Sequence, residues 1–155
     1  EINLNDYLST RDFSFSWWWK NSSFPDDGQV NIRVINNNEY GQHEIFSFFA
    51  NSYERSLSMK YLWKYISSGL NDGFCYDNSW HHMSITFDSV NFKFKLYLDG
   101  QLKNELDLTP YGPGEDLFNM ITLGSMGQEA QIDNFQFYSG VLSESSIESI
   151  YNQGR

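Results

Sequence analysis

Three kinds of residue in this chain could do chemistry: a carboxylate that strand periodicity turns inward, a pair of adjacent histidines, and aromatic rings on strand faces that should look outward. Asp133 sits in the run Ile132-Asp133-Asn134-Phe135-Gln136-Phe137-Tyr138. At period 2 it shares a face with Phe135 and Phe137, which directs its carboxylate toward a core. An isolated buried charge is expensive or takes up a proton, so Asp133 there needs either backbone amide donors or a cation. His81 and His82 are neighbours, and consecutive strand residues point to opposite faces, so the pair cannot chelate one ion. The spacing predicts His81 as a core histidine and His82 as a surface one.

Retaining glycoside hydrolysis needs two carboxyl groups about 5 Å apart. The acidic clusters Glu105-Leu106-Asp107 and Glu144 to Glu148 fall on a hairpin return and a helix surface, where they read as solvated charge. Cys75 is the single cysteine, which excludes an internal disulfide and a site of several thiolates within one chain, and it reads as an apolar filler beside Phe74 and Tyr76. Sugar rings present flat C–H faces that stack on Trp and Tyr. Parity places Trp18, Trp80, Tyr97 and Tyr138 outward, with Trp80 and Tyr97 on paired strands near His82 and Lys95. The stripe Tyr61-Trp63-Tyr65 is either core or, if its strand lines an open sheet, a glycan platform. Trp63, Tyr65, Trp80 and Tyr97 are thus the candidate ligand-binding residues. For Trp18 and Trp80 the alternative is burial beneath the C-terminal helix or loops.

The elements that must hold these residues are strands. In residues 12–20, Phe13, Phe15, Trp17 and Trp19 alternate with Ser14, Ser16 and Trp18, and residues 30–35 and 43–51 read as further strands. Residues 55–66 carry Leu57, Met59, Tyr61, Trp63 and Tyr65 at period 2 and are predicted as one strand. Met83, Ile85 and Phe87 should face inward with His81, and Phe92, Phe94, Leu96 and Leu98 should do so on the next strand. Asp99-Gly100 is a type I′ hairpin signal. The Pro- and Gly-rich stretch 109–116 should cross between sheets. Ser143 is a predicted N-cap with Leu142 and Ile147 as a staple, and Gly154 stands where a C-cap belongs.

Composition narrows the function classes. The chain has 155 residues, 18% of them aromatic, and 20 acidic against 10 basic residues give a net charge of −10. That length suits one domain, expected over residues 1–155. The acidic surface repels phosphate backbones and anionic lipid, so nucleic acid and membrane insertion are disfavoured, whereas cations and neutral glycans are tolerated. No apolar run approaches the roughly 20 residues of a membrane-spanning helix. The first residue is Glu1 rather than Met, consistent with a mature product or a module of a larger protein.

Many strands with turns between them and almost no helix imply a two-layer antiparallel sandwich. The motifs Trp80-His81-His82-Met83-Ser84-Ile85-Thr86-Phe87-Asp88, Lys95-Leu96-Tyr97-Leu98-Asp99-Gly100-Gln101, Ile121-Thr122-Leu123-Gly124-Ser125, the Asp133 strand and Leu142-Ser143-Glu144-Ser145-Ser146-Ile147 cover about half the chain. In that order they resemble the laminin G-like branch of the concanavalin A-like lectin/glucanase superfamily. The resemblance implies a two-sheet antiparallel jelly-roll sandwich with a short C-terminal helix. It also implies a structural calcium at the position of Asp133, with backbone carbonyls near the N-terminus and an early loop as further ligands. The glycanases of that superfamily carry Glu-x-Asp-x-x-Glu or a variant with one insertion, and this chain has no such run. Pentraxins, also related, follow Leu-Gly with a long acidic calcium loop. Here Leu123-Gly124 is followed before the next strand by one carboxylate, Glu129, so calcium-dependent phosphocholine binding is disfavoured.

The expected function is a non-catalytic recognition or adhesion module that binds a glycan or a surface protein. It would be displayed extracellularly, on a cell or virion, or within a larger extracellular protein. The alternatives are a structural assembly or decoration domain that binds a partner protein, and a diverged glycan-active enzyme.

Overall fold

The computed structural model describes residues 2–3, 12–20, 30–38, 41–51, 56–61, 64–71, 77–111, 120–125 and 131–155. Among them the chain forms β1 (Ile2–Asn3), β2 (Phe13–Lys20), β3 (Val30–Asn38), β4 (Gly41–Asn51), β5 (Ser56–Tyr61) and β6 (Lys64–Asn71). Then come β7 (His81–Asp88), β8 (Lys93–Leu98), β9 (Gln101–Asp107), a 3₁₀ turn at Thr109–Tyr111, β10 (Met120–Ser125), β11 (Gln131–Tyr138) and helix α1 (Glu144–Gln153). One antiparallel sheet has the order β1-β10-β3-β4-β5-β6 and the other β11-β2-β7-β8-β9. The expected two-sheet jelly-roll sandwich is the observed architecture, and the chain does pass from one sheet to the other between β9 and β10.

The aromatic alternation of β2 explains the core. Phe13, Phe15, Trp17 and Trp19 are all buried, and they meet side chains of both sheets. The Trp17 ring packs edge-on to Phe48 of β4 at 5.6 Å. Phe94 of β8 stacks on Phe46 of β4 at 4.6 Å and on Phe87 of β7 at 4.8 Å. Burying such a side chain contributes about 1.5–3 kcal/mol, so this aromatic layer is what clamps the sheets face to face. Met83, Ile85, Phe87, Leu96 and Leu98 join it as the period-2 pattern predicts.

Two departures from regular strands relocate candidate residues. The stretch predicted as one strand over 55–66 is a hairpin: Met59 pairs with Ile66 and Tyr61 with Lys64, so the chain reverses between these two residues. Parity therefore does not run from Met59 and Tyr61, which are buried, to Trp63 and Tyr65. In β11, the register against β2 shifts between Asp133 and Gln136, and Asn134 has φ 52°. Asn is among the few non-glycine residues that settle in this left-handed region. The extra residue of the bulge transfers the alternation, so Ile132, Phe135 and Phe137 pack on the core and Asp133 points out.

The outer face of β2-β7-β8 carries Ser14, Ser16, His82, Ser84, Thr86 and Tyr97, and all six are buried. The chain end covers them. Ser14 Oγ donates to the Gly140 carbonyl at 2.7 Å and accepts from Leu142 N–H at 2.9 Å, and Tyr151 stacks on Trp18 with centroids 5.9 Å apart. The N-cap and C-cap are as predicted: Ser143 Oγ accepts from Ser146 N–H at 3.2 Å, and Gly154, at φ 80°, donates to the Tyr151 carbonyl. Asp99 and Gly100 have φ 50° and 76°, as a type I′ turn requires. Gly100 also yields room to the helix, because a Cβ there would lie 3.0 Å from Tyr151 Cδ1. Among the described residues no helix is long and apolar enough to cross a membrane.

Candidate functional site

At one end of β7 a polar corner surrounds Trp80. The Asp99 N–H donates to the His82 carbonyl at 2.8 Å, and Asp99 Oδ1 accepts from His82 N–H at 2.9 Å. Asp99 Oδ2 lies 2.8 Å from His81 Nδ1, and Asp77 Oδ2 lies 3.1 Å from His81 Nε2. Asp77 Oδ1 takes the Ser79 N–H at 2.8 Å, which shapes the turn leading to Trp80. The Trp80 ring is half-buried, with the Arg155 guanidinium carbon 4.2 Å from its centroid. Arg155 Nε reaches Asp133 Oδ2 at 3.3 Å.

The two histidines exchange the roles expected of them. His82, predicted at the surface, is 1% exposed under Trp18 and Tyr151, with Nε2 bonded to Ser16 Oγ at 2.7 Å. Its Nδ1 has no partner. Burial lowers its pKa and keeps it neutral. His81, predicted as a core residue, has the inward parity but sits at the rim between two carboxylates. Both are acceptors when ionised, so both ring nitrogens donate and the imidazolium is favoured. Partial burial works against the charge, but the Asp99 and Asp77 hydrogen bonds outweigh it and raise the pKa.

These shifts oppose each other on the pH axis. His81, with a raised folded-state pKa, contributes stability fully below its unfolded value near 6.5 and loses it as pH rises through the folded value. His82, with a lowered one, contributes fully above about 6.5 and loses it as pH falls toward the folded value. Denaturation midpoints between pH 5 and 8.5 should fall off on both sides of about 6.5. His81→Gln should flatten the alkaline limb and His82→Gln the acid limb. The His81 effect is held to about 1 kcal/mol or less by solvent at the rim. Identical pH slopes for the two variants would refute the assignment.

Of the two candidate ligand-binding residues whose side chains are described, Trp80 and Tyr97, Trp80 is the one that is partly exposed. Tyr97 has the outward parity but is 1% exposed, so its ring cannot act as a stacking platform. Trp63 lies outside the described residues. Tyr65 belongs to β6, but its side chain lies outside the described set. Asp133 was expected inward and is not: its side chain is 53% exposed, held by Arg155 and by the Asn134 N–H at 2.8 Å. The charge is solvated, so nothing obliges it to bind a cation. Calcium takes about 6–8 oxygen ligands. Asp133 offers one carboxylate beside a guanidinium, and among the described residues no three His, Cys, Asp or Glu side chains converge on a metal position. Most residues of the N-terminal segment and of the early loop, from which the resemblance drew the other ligands, lie outside the described residues.

Sequence reasoning assigned Asp99 to a turn alone and overlooked Asp77 and Arg155. The one available signal was Asp99-Gly100 itself, since an Asp at the first turn position reaches the open end of the neighbouring strand.

At the other end of β7, roughly 25 Å away along the strand, a cleft of 230 Å³ opens between the sheet and the start of α1. Thr86, Tyr97, Lys93 and Lys95 line it from the sheet, and Val141, Leu142 and Glu144 from the chain end. Helix α1 lies between the two places, with Glu144 near Lys95 (3.4 Å) and Tyr151 over Trp18 and His82.

The chain matches, over residues 2–148, the family described as the concanavalin A-like lectin/glucanases superfamily, laminin G type. No curated protein matches it in sequence. Among solved structures it is similar to the receptor-binding domain of botulinum neurotoxin C/D mosaic serotype, with 20% identity, TM-score 0.70, 99% of this chain and 40% of that chain covered. The receptor-binding domain of botulinum neurotoxin D gives 22% identity, TM-score 0.69 and coverage of 98% and 40%. A structure of botulinum neurotoxin type C, whose cell entry is dependent upon interaction with two ganglioside molecules, gives 16% identity, TM-score 0.69 and coverage of 94% and 36%. These likenesses show the fold, and the chain spans about two fifths of the length of the structures it matches.

Proposed function

The chain belongs to the concanavalin A-like lectin/glucanase superfamily, and from that premise we propose that it is a non-catalytic recognition module whose ligand is a glycan. It serves as a part of a larger protein displayed outside a cell or on a virion. The observation that carries this is the Trp80 corner. A partly exposed indole with the Arg155 guanidinium 4.2 Å from its ring centroid offers its remaining apolar surface, while the second lone pairs of the Asp77 and Asp99 carboxylates and the N–H groups of Arg155 offer acceptors and donors for hydroxyl groups. That pairing of a ring with planar polar side chains suits the two-sided chemistry of a sugar. The carboxylates here are already engaged, Asp99 by the turn and His81, Asp77 by His81 and Ser79, which favours binding over catalysis. The ganglioside dependence of the type C neurotoxin supports a glycan as ligand class, although that property belongs to a chain more than twice as long.

A glycan array, followed by calorimetry on any hit with and without calcium, tests this. Binding is expected, and Trp80→Ala should weaken it about tenfold, the loss of one ring contact, with an unchanged circular dichroism spectrum. No binding to any glycan in either condition would overturn the proposal.

A further inference from the structure

We propose that the cleft between β8 and the Val141–Glu144 turn is a second ligand position, a subsite for one uncharged pyranose unit that the Tyr97 hydroxyl orients. This rests on the glycan reading of the chain but uses residues remote from the Trp80 corner. The cleft, at 230 Å³, is below the roughly 300–1,000 Å³ of drug-sized sites, which suits a single ring. Its floor holds an unused polar group. Tyr97 is 1% exposed, yet no hydrogen bond of its hydroxyl occurs among the described residues. Among the described residues the sealed polar atoms without partners are Trp17 Nε1, Trp19 Nε1, His82 Nδ1 and Ser84 Oγ. The Tyr97 hydroxyl is not one of these, so it keeps a trace of solvent access, and Tyr97 is among the residues that line the cleft. Burial, then the Glu144 and Glu105 charges, push its pKa up to about 12, so it remains a donor throughout the physiological range.

The walls fit the same ligand class. Val141 and Leu142 supply an apolar side for the C–H face of a ring. Lys95 sits 3.6 Å from Glu105 and 3.4 Å from Glu144, loose pairs at the rim whose donors and acceptors can each take a hydroxyl group. Asp88, Glu105 and Glu144 outnumber Lys93 and Lys95 around the opening, on a chain of net charge −10. A sugar bearing a carboxylate is repelled, and an uncharged one is not.

The test titrates ¹⁵N-labelled protein with methyl β-galactopyranoside, methyl α-mannopyranoside, N-acetylglucosamine and N-acetylneuraminic acid. At least one of the three neutral sugars should shift the amides of residues 93–97 and 141–144, and N-acetylneuraminic acid should not. Tyr97→Phe removes one oxygen and should weaken that neutral sugar about 2- to 12-fold, the worth of one hydrogen bond, without lowering the melting temperature. Val141→Trp, at an exposed position, should fill the cleft and abolish the shifts. Binding unchanged in both variants, or shifts confined to the Trp80 corner, overturns the subsite and leaves the glycan reading standing. Shifts of the cleft amides by N-acetylneuraminic acid alone overturn the uncharged class. No shift anywhere, with a blank glycan array, overturns both.

Discussion

Replacing Trp17 with alanine will cost about 3–5 kcal/mol of folding stability, the largest effect expected of any single substitution considered for this chain. Trp17 lies at the middle of β2, fully buried, with its ring against Phe48 of the opposite sheet at 5.6 Å and against Phe135 of β11 at 6.4 Å. Truncation removes those contacts and leaves a cavity that two flat sheets cannot collapse to fill. Against a typical total of about 5–15 kcal/mol, the loss is enough to leave a large unfolded fraction. Trp17→Phe makes a sharper control. It keeps most of the apolar ring and deletes an indole N–H that is buried without a partner, whose desolvation counts against the native fold. Its cost should therefore be far smaller, below about 2 kcal/mol. Urea denaturation at constant m-value measures both. Equal losses for the two variants would show that the N–H, not the ring, is what matters.

Ile147→Ala is the second large effect, about 2–5 kcal/mol, and it has a local signature. Ile147 is the fully buried residue of α1, the anchor by which the chain end sits on the outer face of β2-β7-β8. The rest of the attachment consists of hydrogen bonds to Ser14, the Tyr151 ring on Trp18 and His82, and the rim contacts of Arg155. Without the anchor these form too small an interface to hold the helix closed, and an isolated helix of 10 residues is marginal in water. Hydrogen exchange should accelerate in residues 142–153, with a red shift of tryptophan emission as Trp18 gains water. Uniform acceleration across β4 and β5 as well would show instead that the helix unfolds only with the whole sandwich. Because the helix forms one wall of the cleft and carries Arg155 to Trp80, the variant should also weaken glycan binding at both places.

Local regularities carried much of the fold. The aromatic alternation of β2, the inward set of β7 and β8, the Asp99-Gly100 turn and the Ser143 cap are each written within a few consecutive residues, where periodicity and turn chemistry act directly. The candidate site was legible only in pieces. Trp80 and its outward parity were readable, but Asp77, Asp99 and Arg155 join it from positions 3, 19 and 75 residues away along the sequence. No local pattern marks such a meeting. Where the sequence reading went astray, a single irregularity was enough: one additional residue at Asn134 moved Asp133 from the core side to solvent, and one chain reversal after Tyr61 cut the stripe that led to Trp63 and Tyr65.

By itself, then, the sequence determined that this chain forms paired strands with an aromatic interior, a tight β8-β9 hairpin and a capped terminal helix, because those features depend on neighbours in the chain. Which faces are exposed was decided by the tertiary structure. Parity assigns a side chain to a face but is silent on what packs there. The docking of residues 140–155 buries His82 and Tyr97, and it brings Arg155 to Trp80 and Asp133.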